Sequence, residues 1–277
     1  MYDRIAIPKA GTVRPVGLLE TTGALVASGL AWIGTATLFA LRCIPKAFQR
    51  PFEIHETLRQ LHQVGWQSMP LITAAGFAVG AVMSMHTRSS LERFGAESMI
   101  PAGVALALIR ETGPLVTGLL VAGRVGASIG AELGSMRISE QIDALEALAV
   151  DSYKYLVVTR VIACVLALPL LTTLANFSGI VGGFLAETTV SGMTLSLYFD
   201  RAFSIVSFSD YIPATLKTMV FGFIIGTISA FFGFNATGGT EGVGRASTRS
   251  VVLSSIVLIL GNVLLVRLIF FLFPEAG

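Results

Sequence analysis

Charged residues are scarce in this sequence: Asp, Glu, Lys and Arg make up 13% of its 277 residues, and apolar residues make up 53%. Soluble domains carry about 25% charged residues, so water is not the main solvent of this chain. The formal net charge of +2 also gives no basis for a nucleic-acid partner. The composition therefore predicts an integral membrane protein.

Cysteines and catalytic motifs are equally sparse. The two cysteines, Cys43 and Cys164, stand alone in apolar surroundings without CxxC or metal-type spacing. The sequence has no GxxxxGK[ST] phosphate loop and no HExxH motif, and its three histidines form no arrangement with Ser and an acid that predicts nucleophilic catalysis. We therefore expect no cofactor, no metal and no catalytic residue, and any ATP has to be hydrolysed by another protein.

Long apolar stretches predict the spans, because a helix needs about 20 apolar residues to cross the hydrocarbon core. Such stretches occupy residues 65–85, 100–125, 159–186, 218–234 and 251–273. The fold class is accordingly an all-α membrane protein with five transmembrane helices. Residues 17–41 are long enough to cross but carry Glu20 and several threonines, so we predict an interfacial or re-entrant helix there, with a sixth span as the alternative.

The distribution of basic residues predicts the topology. With a cytoplasmic N-terminus, five spans leave few basic residues in outside segments, among them Arg88, Arg93 and Arg201, as the positive-inside rule favours. The C-terminus then lies outside. We divide the chain into an N-terminal cytoplasmic segment, residues 1–60, and a permease transmembrane domain, residues 61–277.

The longest polar segment between spans, residues 131–153, has the pattern of a short amphipathic helix. Ile138, Ile142 and Leu145 share one face, whereas acidic residues occupy another. Ser139 is the predicted N-cap. The pattern alone leaves two interpretations open: a solvated helix lying on the membrane and a helix that docks a partner protein.

Three charged residues lie at membrane depth, where such side chains are functional candidates by default. They are Arg110, Glu111 and Glu187. For the adjacent Arg110 and Glu111, the alternative is a structural role in tying helices together.

Two sequence blocks carry a family resemblance. The first comprises RETGPL at residues 110–115, AGRVGA at 122–127 and AELGSMRISEQIDAL at 131–145. The second comprises GVGRASTR at 242–249 followed by VVLSS at 251–255. Both resemble signature regions of the MlaE/YrbE family of ABC-transporter permeases, and with the order of the spans the resemblance covers about residues 49–273.

The resemblance implies a homodimeric permease of the bacterial inner membrane, with a cytoplasmic N-terminus and a periplasmic C-terminus. It also implies two partners, a separate ABC ATPase and an MCE-domain lipid-binding protein, and a lipid cargo for which we expect phospholipid. Residues 132–148 would be the coupling helix that docks in the ATPase. Its polar residues are Glu132, Arg137, Glu140, Gln141, Asp143 and Glu146.

An apolar cavity between two copies would hold the acyl chains. For its wall we select Val79, Met83, Met85 and Leu106, although packing within the chain explains these residues equally well. Two other functions remain open. A proton-coupled secondary transporter would use Glu111 or Glu187 as its proton carrier, and a membrane scaffold would have no transport cycle.

Overall fold

The computed structural model describes residues 18–50 and 52–272, with side chains from Ser28 onward except Phe270 and Leu272. Within these ranges the chain forms eleven α-helices joined by short 3₁₀ and π turns. The helices are α1 (Leu18–Ala47), α2 (Ile54–Gly65), α3 (Met69–Leu91), α4 (Ile100–Ala107), α5 (Gly113–Val121), α6 (Ala127–Ile138), α7 (Gln141–Ala147), α8 (Thr159–Ser191), α9 (Leu195–Phe203), α10 (Phe208–Phe234) and α11 (Gly239–Leu272).

Six helical runs in the described chain are long and apolar enough to cross a membrane. They are Ala27–Ala47, Ile54–Phe94, Glu97–Ile138, Tyr153–Ser191, Phe208–Phe234 and Gly239–Ile269. The all-α membrane class is confirmed, and the count of long apolar helices is six where five spans were predicted. The difference is α1, whose 30 residues form one continuous helix about 45 Å long.

The predicted division between residues 60 and 61 coincides with no break, because α2 continues through a 3₁₀ turn at Trp66–Ser68 into α3. The predicted cytoplasmic location of the first residues concerns residues 1–17, which lie outside the described chain. The run from Glu97 to Ile138 is also nearly continuous, and it contains π turns at Leu108–Thr112 and Ala122–Gly126.

Helix α8 forms the centre of the bundle. In the apolar 18-residue stretch of its span, 67% of the residues are buried. The corresponding share is 11% in α1 and 11% in α11, so these two helices leave wide apolar faces uncovered. Helix α3 lies directly against α8, because a Cβ atom on Gly80 would stand 1.8 Å from the carbonyl oxygen of Gly179. Glycine is therefore required at Gly80 for this approach. Gly76, one helical turn earlier, faces the backbone of Ala175 in the same way, so both glycines serve helix packing within the chain.

Helix α10 covers another face of α8 in the same way, with Gly222 against the backbone of Cys164. An aromatic cluster then attaches α1 to α10. The ring of Phe39 lies 5.5 Å from Phe231 and 4.9 Å from Tyr153, whose hydroxyl donates to the Phe39 carbonyl. These contacts hold α1 against the bundle although most of its surface is uncovered.

The two ends of the bundle carry different elements. At the end that bears α7, Lys46 forms an ion pair with Asp151, and the Lys154 ammonium donates to the Gln49 carbonyl at 2.7 Å. At the other end, α9 packs across α4 and buries Tyr198. We refer to these as the α7 end and the α9 end.

Candidate functional site

Helix α7 is held to the bundle by its apolar face. Ile142 is completely buried in the main core, and Leu145 packs against the same core. Glu140, Gln141 and Asp143 are exposed, and Glu146 lies on the same solvent side. The predicted division of faces is therefore present between residues 140 and 146.

The single helix predicted over residues 132–148 is divided in two. Helix α6 ends at Ile138, and Glu140 adopts a left-handed conformation with φ of 58° before α7 begins. Ser139 does not act as the predicted N-cap; its hydroxyl instead donates to the Ser135 carbonyl and closes the end of α6. The break makes α7 a separate seven-residue helix that packs on the core through Ile142 and Leu145.

The six polar residues predicted for the coupling helix differ in their contacts. Asp143 accepts a hydrogen bond from Arg137 at 2.6 Å, which fixes α7 relative to α6 across the break. Glu146 accepts from the Ser152 hydroxyl at 2.7 Å. Glu132 points the other way and pairs with the buried Arg160 at 2.8 Å. Glu140 and Gln141 therefore form the exposed tip of the surface.

Arg110 and Glu111 do not pair with each other. Arg110 donates through Nε to Asp210 of α10 at 2.8 Å. Glu111 accepts from Lys217 of α10 at 2.9 Å and from Asn262 of α11 at 3.1 Å. The π turn that contains both residues thus ties α4 and α5 to two other helices.

Asp210, Lys217 and Asn262 were missed by the sequence reasoning. The predicted span began at residue 218, because the apolar stretch starts there, whereas α10 begins ten residues earlier at Phe208. The sequence places Asp210 and Lys217 seven residues apart, on one face of a helix, but it does not show which residues that face contacts.

Glu187 is also paired. Its side chain is 1% exposed and accepts from Arg88 through Nε at 3.2 Å, which joins α3 to α8 near the α9 end. Tyr198 of α9 lies close by, and burial raises the pKa of its hydroxyl to about 12, with a further contribution from the Glu187 carboxylate. The phenol stays neutral at physiological pH, so it adds no charge to the pair.

The four residues predicted for the lipid wall do not face one space within a single chain. Val79 and Met83 pack against the smaller core that contains Tyr198. Met85 is 59% exposed, and Leu106 is half-buried. Two surface cavities of about 210 and 190 Å³ in the described chain are lined by other residues. A wall formed between two copies stays a prediction.

The architecture defines the class of the protein. In the described chain it is an all-α membrane bundle of six long apolar helices, tied together by ion pairs between helices, with a short amphipathic helix at one end. Residues 57–268 match the family model described as Permease MlaE, and the chain belongs to this family.

Curated relatives support the assignment. A "Probable ABC transporter permease protein" of Rickettsia bellii is 40% identical over 238 residues, which cover 86% of this chain and 92% of the relative. "Protein TRIGALACTOSYLDIACYLGLYCEROL 1, chloroplastic" of Arabidopsis thaliana is 36% identical over 221 residues, covering 80% of this chain and 62% of the relative. "Intermembrane phospholipid transport system permease protein MlaE" of Haemophilus influenzae is 34% identical over 203 residues, covering 73% and 78%.

Proposed function

We propose that this chain is the permease subunit of an ABC transporter that moves lipid, phospholipid in the first place, between the bacterial inner membrane and an MCE-domain partner. Two copies form the permease. A separate ATPase binds at the α7 end and drives the cycle, and the MCE-domain protein binds at the α9 end. The chain itself contributes no catalytic residue and needs no cofactor.

The main support for the proposal is that, in a chain of this family, α7 is fixed to the bundle while its acidic face stays exposed. An ATPase has to act on a rigid element, and α7 is anchored by the buried Ile142 and braced by the pair between Arg137 and Asp143. Its exposed acidic surface offers charges for recognition by a basic partner. The sequence has no phosphate loop of its own, so hydrolysis falls to that partner.

The wide apolar faces of α1 and α11 support the dimer and the lipid cargo. Only 11% of the residues in the apolar 18-residue stretch of each of these two helices are buried within the single chain. Such faces are covered by lipid chains or by another protein surface, and both are required by the proposed arrangement. Acyl chains need little more than apolar contact, at about 0.8 kcal/mol for each buried CH2 group.

The proton-coupled alternative is disfavoured by the partners of its candidate carriers. Glu187 is held by Arg88, and Glu111 is held by Lys217 and Asn262. Both carboxylates accept hydrogen bonds from side chains on neighbouring helices, which fix their positions. These groups suit fixed ties between helices better than a proton relay.

Charge exchange on α7 tests the proposal. The double variant Arg137→Asp with Asp143→Arg keeps an ion pair across the break but reverses both charges toward a partner. Combined with Glu140→Lys, it is expected to reduce co-purification of the ATPase and ATP-driven lipid transfer by at least about tenfold, because like charges in an interface cost several kcal/mol.

The matched control reverses Glu92 and Asp200, two exposed acids at the α9 end. It is expected to leave ATPase binding unchanged. Normal ATPase binding and lipid transfer by the α7 variant would show that α7 is a solvated connector. Absence of ATP-driven transfer by the wild-type complex would instead favour the scaffold alternative.

A further inference from the structure

A cavity of about 190 Å³, lined by several polar and charged side chains, lies between α2 and the long run from Glu97 to Ile138. Three glutamines line its α2 side, and one arginine and one glutamate are the charged residues of its lining. We call it the glutamine cavity and define it by Gln60, Gln63, Gln67, Arg124 and Glu132.

The basic end of the glutamine cavity lies where α3 begins. The Arg124 guanidinium donates through Nη2 to the Gln67 side-chain oxygen at 2.9 Å and through Nη1 to the Ser68 hydroxyl at 2.6 Å. A guanidinium has five N–H donors in a planar fork, so Arg124 keeps further donors for an anionic group. Gln63, on the same wall one helical turn earlier, adds a carboxamide.

The acidic end lies toward α7. Glu132 follows Arg124 by eight residues, about 12 Å along the helix axis, and it is 39% exposed while paired with Arg160. Gln60 is buried, and its amide donates to Glu56 at 2.8 Å, which fixes the wall in place. The two ends of the cavity therefore carry opposite charges in a fixed order.

The position of Trp66 indicates the depth of the cavity in the membrane. Its indole is 64% exposed, directly beside Gln67, and stacks on His62 with ring centroids 6.3 Å apart. Exposed tryptophan side chains concentrate at the level of the lipid headgroups. The apolar part of the span then begins at Met69, so the cavity opens at headgroup depth.

We propose that the glutamine cavity binds the headgroup of a zwitterionic phospholipid, with the phosphate at Arg124 and the ammonium group at Glu132. The order of charges carries the assignment: in such a lipid the phosphate is attached next to the glycerol and the acyl chains, and the amine extends toward water. Arg124 lies nearest the span and Glu132 farther out. A purely anionic headgroup would bring no positive charge to Glu132.

This inference rests on the proposed function, since it names a headgroup for the lipid, but it concerns binding and is tested without transport. The purified full chain is titrated with four compounds and bound species are counted by native mass spectrometry. The compounds are phosphatidylethanolamine, phosphatidylglycerol, a diacylglycerol with the same acyl chains, and soluble glycerophosphoethanolamine.

Phosphatidylethanolamine is expected to bind about tenfold more tightly than diacylglycerol, because hydrogen bonds to a charged group are worth about one to two factors of ten. Phosphatidylglycerol should fall between the two. Arg124→Gln should remove the advantage of phosphatidylethanolamine, and Gln63→Leu, which leaves the contacts of Arg124 intact, should reduce it. Arg93→Gln, at an exposed position at the α9 end, is the matched control and should bind like the wild type.

Equal binding of phosphatidylethanolamine and diacylglycerol by the wild type would overturn the inference. It would also be overturned if the Arg124→Gln and Gln63→Leu variants both bound phosphatidylethanolamine more tightly than diacylglycerol by the wild-type factor. Binding of soluble glycerophosphoethanolamine as tight as that of the lipid would overturn the assignment to a membrane lipid. If any of these results accompanies normal ATP-driven lipid transfer by the wild-type complex, the headgroup site fails while the proposed function stands.

Discussion

Ile142 is the anchor of α7, and its removal tests whether a docked α7 is needed for coupling. The side chain is fully buried, and Leu145 is its half-buried companion on this short helix. Ile142→Ala removes three carbon atoms, about 2.4 kcal/mol of burial, and the cavity left behind raises the cost to about 3 kcal/mol. A change of that size shifts the ratio of docked to undocked α7 by more than about a hundredfold.

The loss should stay local, because a seven-residue helix has almost no stability away from the surface that it packs against. Hydrogen exchange of residues 139–148 should accelerate by up to about a hundredfold, with unchanged protection in α8 and α10. Binding of the ATPase, measured by co-purification and by stimulation of its ATP hydrolysis, should fall with it. The membrane bundle should still fold.

The same substitution at Ile205, which is 49% exposed at the α9 end, provides the control and should change neither measurement. Accelerated hydrogen exchange in residues 139–148 together with wild-type ATPase binding would show that coupling does not depend on a docked α7. Unchanged exchange would refute the assignment of Ile142 as the anchor.

Three further predictions concern the bundle. Gly80→Ala should destabilise the protein by about 1–3 kcal/mol or more, because the added Cβ meets a carbonyl of α8; thermal unfolding in detergent measures the loss. Gly34→Ala is the control and should have little effect, because its added Cβ meets no atom within 4 Å. Lys217→Met should cost about 1–3 kcal/mol, because the half-exposed Glu111 and the Arg110 carbonyl each lose a hydrogen bond from the ammonium group, and adding Glu111→Gln should recover part of the loss in the same unfolding assay. Reporters fused after the last residue of α11 and near Ser139 should report opposite sides of the membrane, and a common side would contradict the direction assigned to α11.

Much of the fold was predictable from hydropathy, and the parts that were not have identifiable causes. Apolar runs located the centres of the spans, but α10 and α11 begin well before their apolar stretches, at Phe208 and Gly239, because polar residues continue the helices. For residues 17–41 we predicted an interfacial or re-entrant helix because of their polar residues, whereas α1 forms one long apolar helix.

The candidate site was predictable in part. The apolar and acidic faces of residues 140–146 follow from helical periodicity. The break before α7 does not, because Glu140 is a residue type that rarely adopts positive φ and gives no signal of it in the sequence. The ion-pair partners were out of reach for another reason: Asp210 lies 100 positions from Arg110, and a single sequence contains no contact information at that separation.

Reconstitution of the chain with its ATPase in vesicles tests ATP-driven lipid transfer. The chain is placed in vesicles with its ATPase, labelled phospholipid is added, and transfer to a soluble MCE-domain protein is measured with ATP, without ATP, and with an uncoupler that collapses the proton gradient. We expect transfer that requires ATP and continues at the same rate with the uncoupler. Transfer that proceeds without ATP and stops when the proton gradient collapses would contradict it.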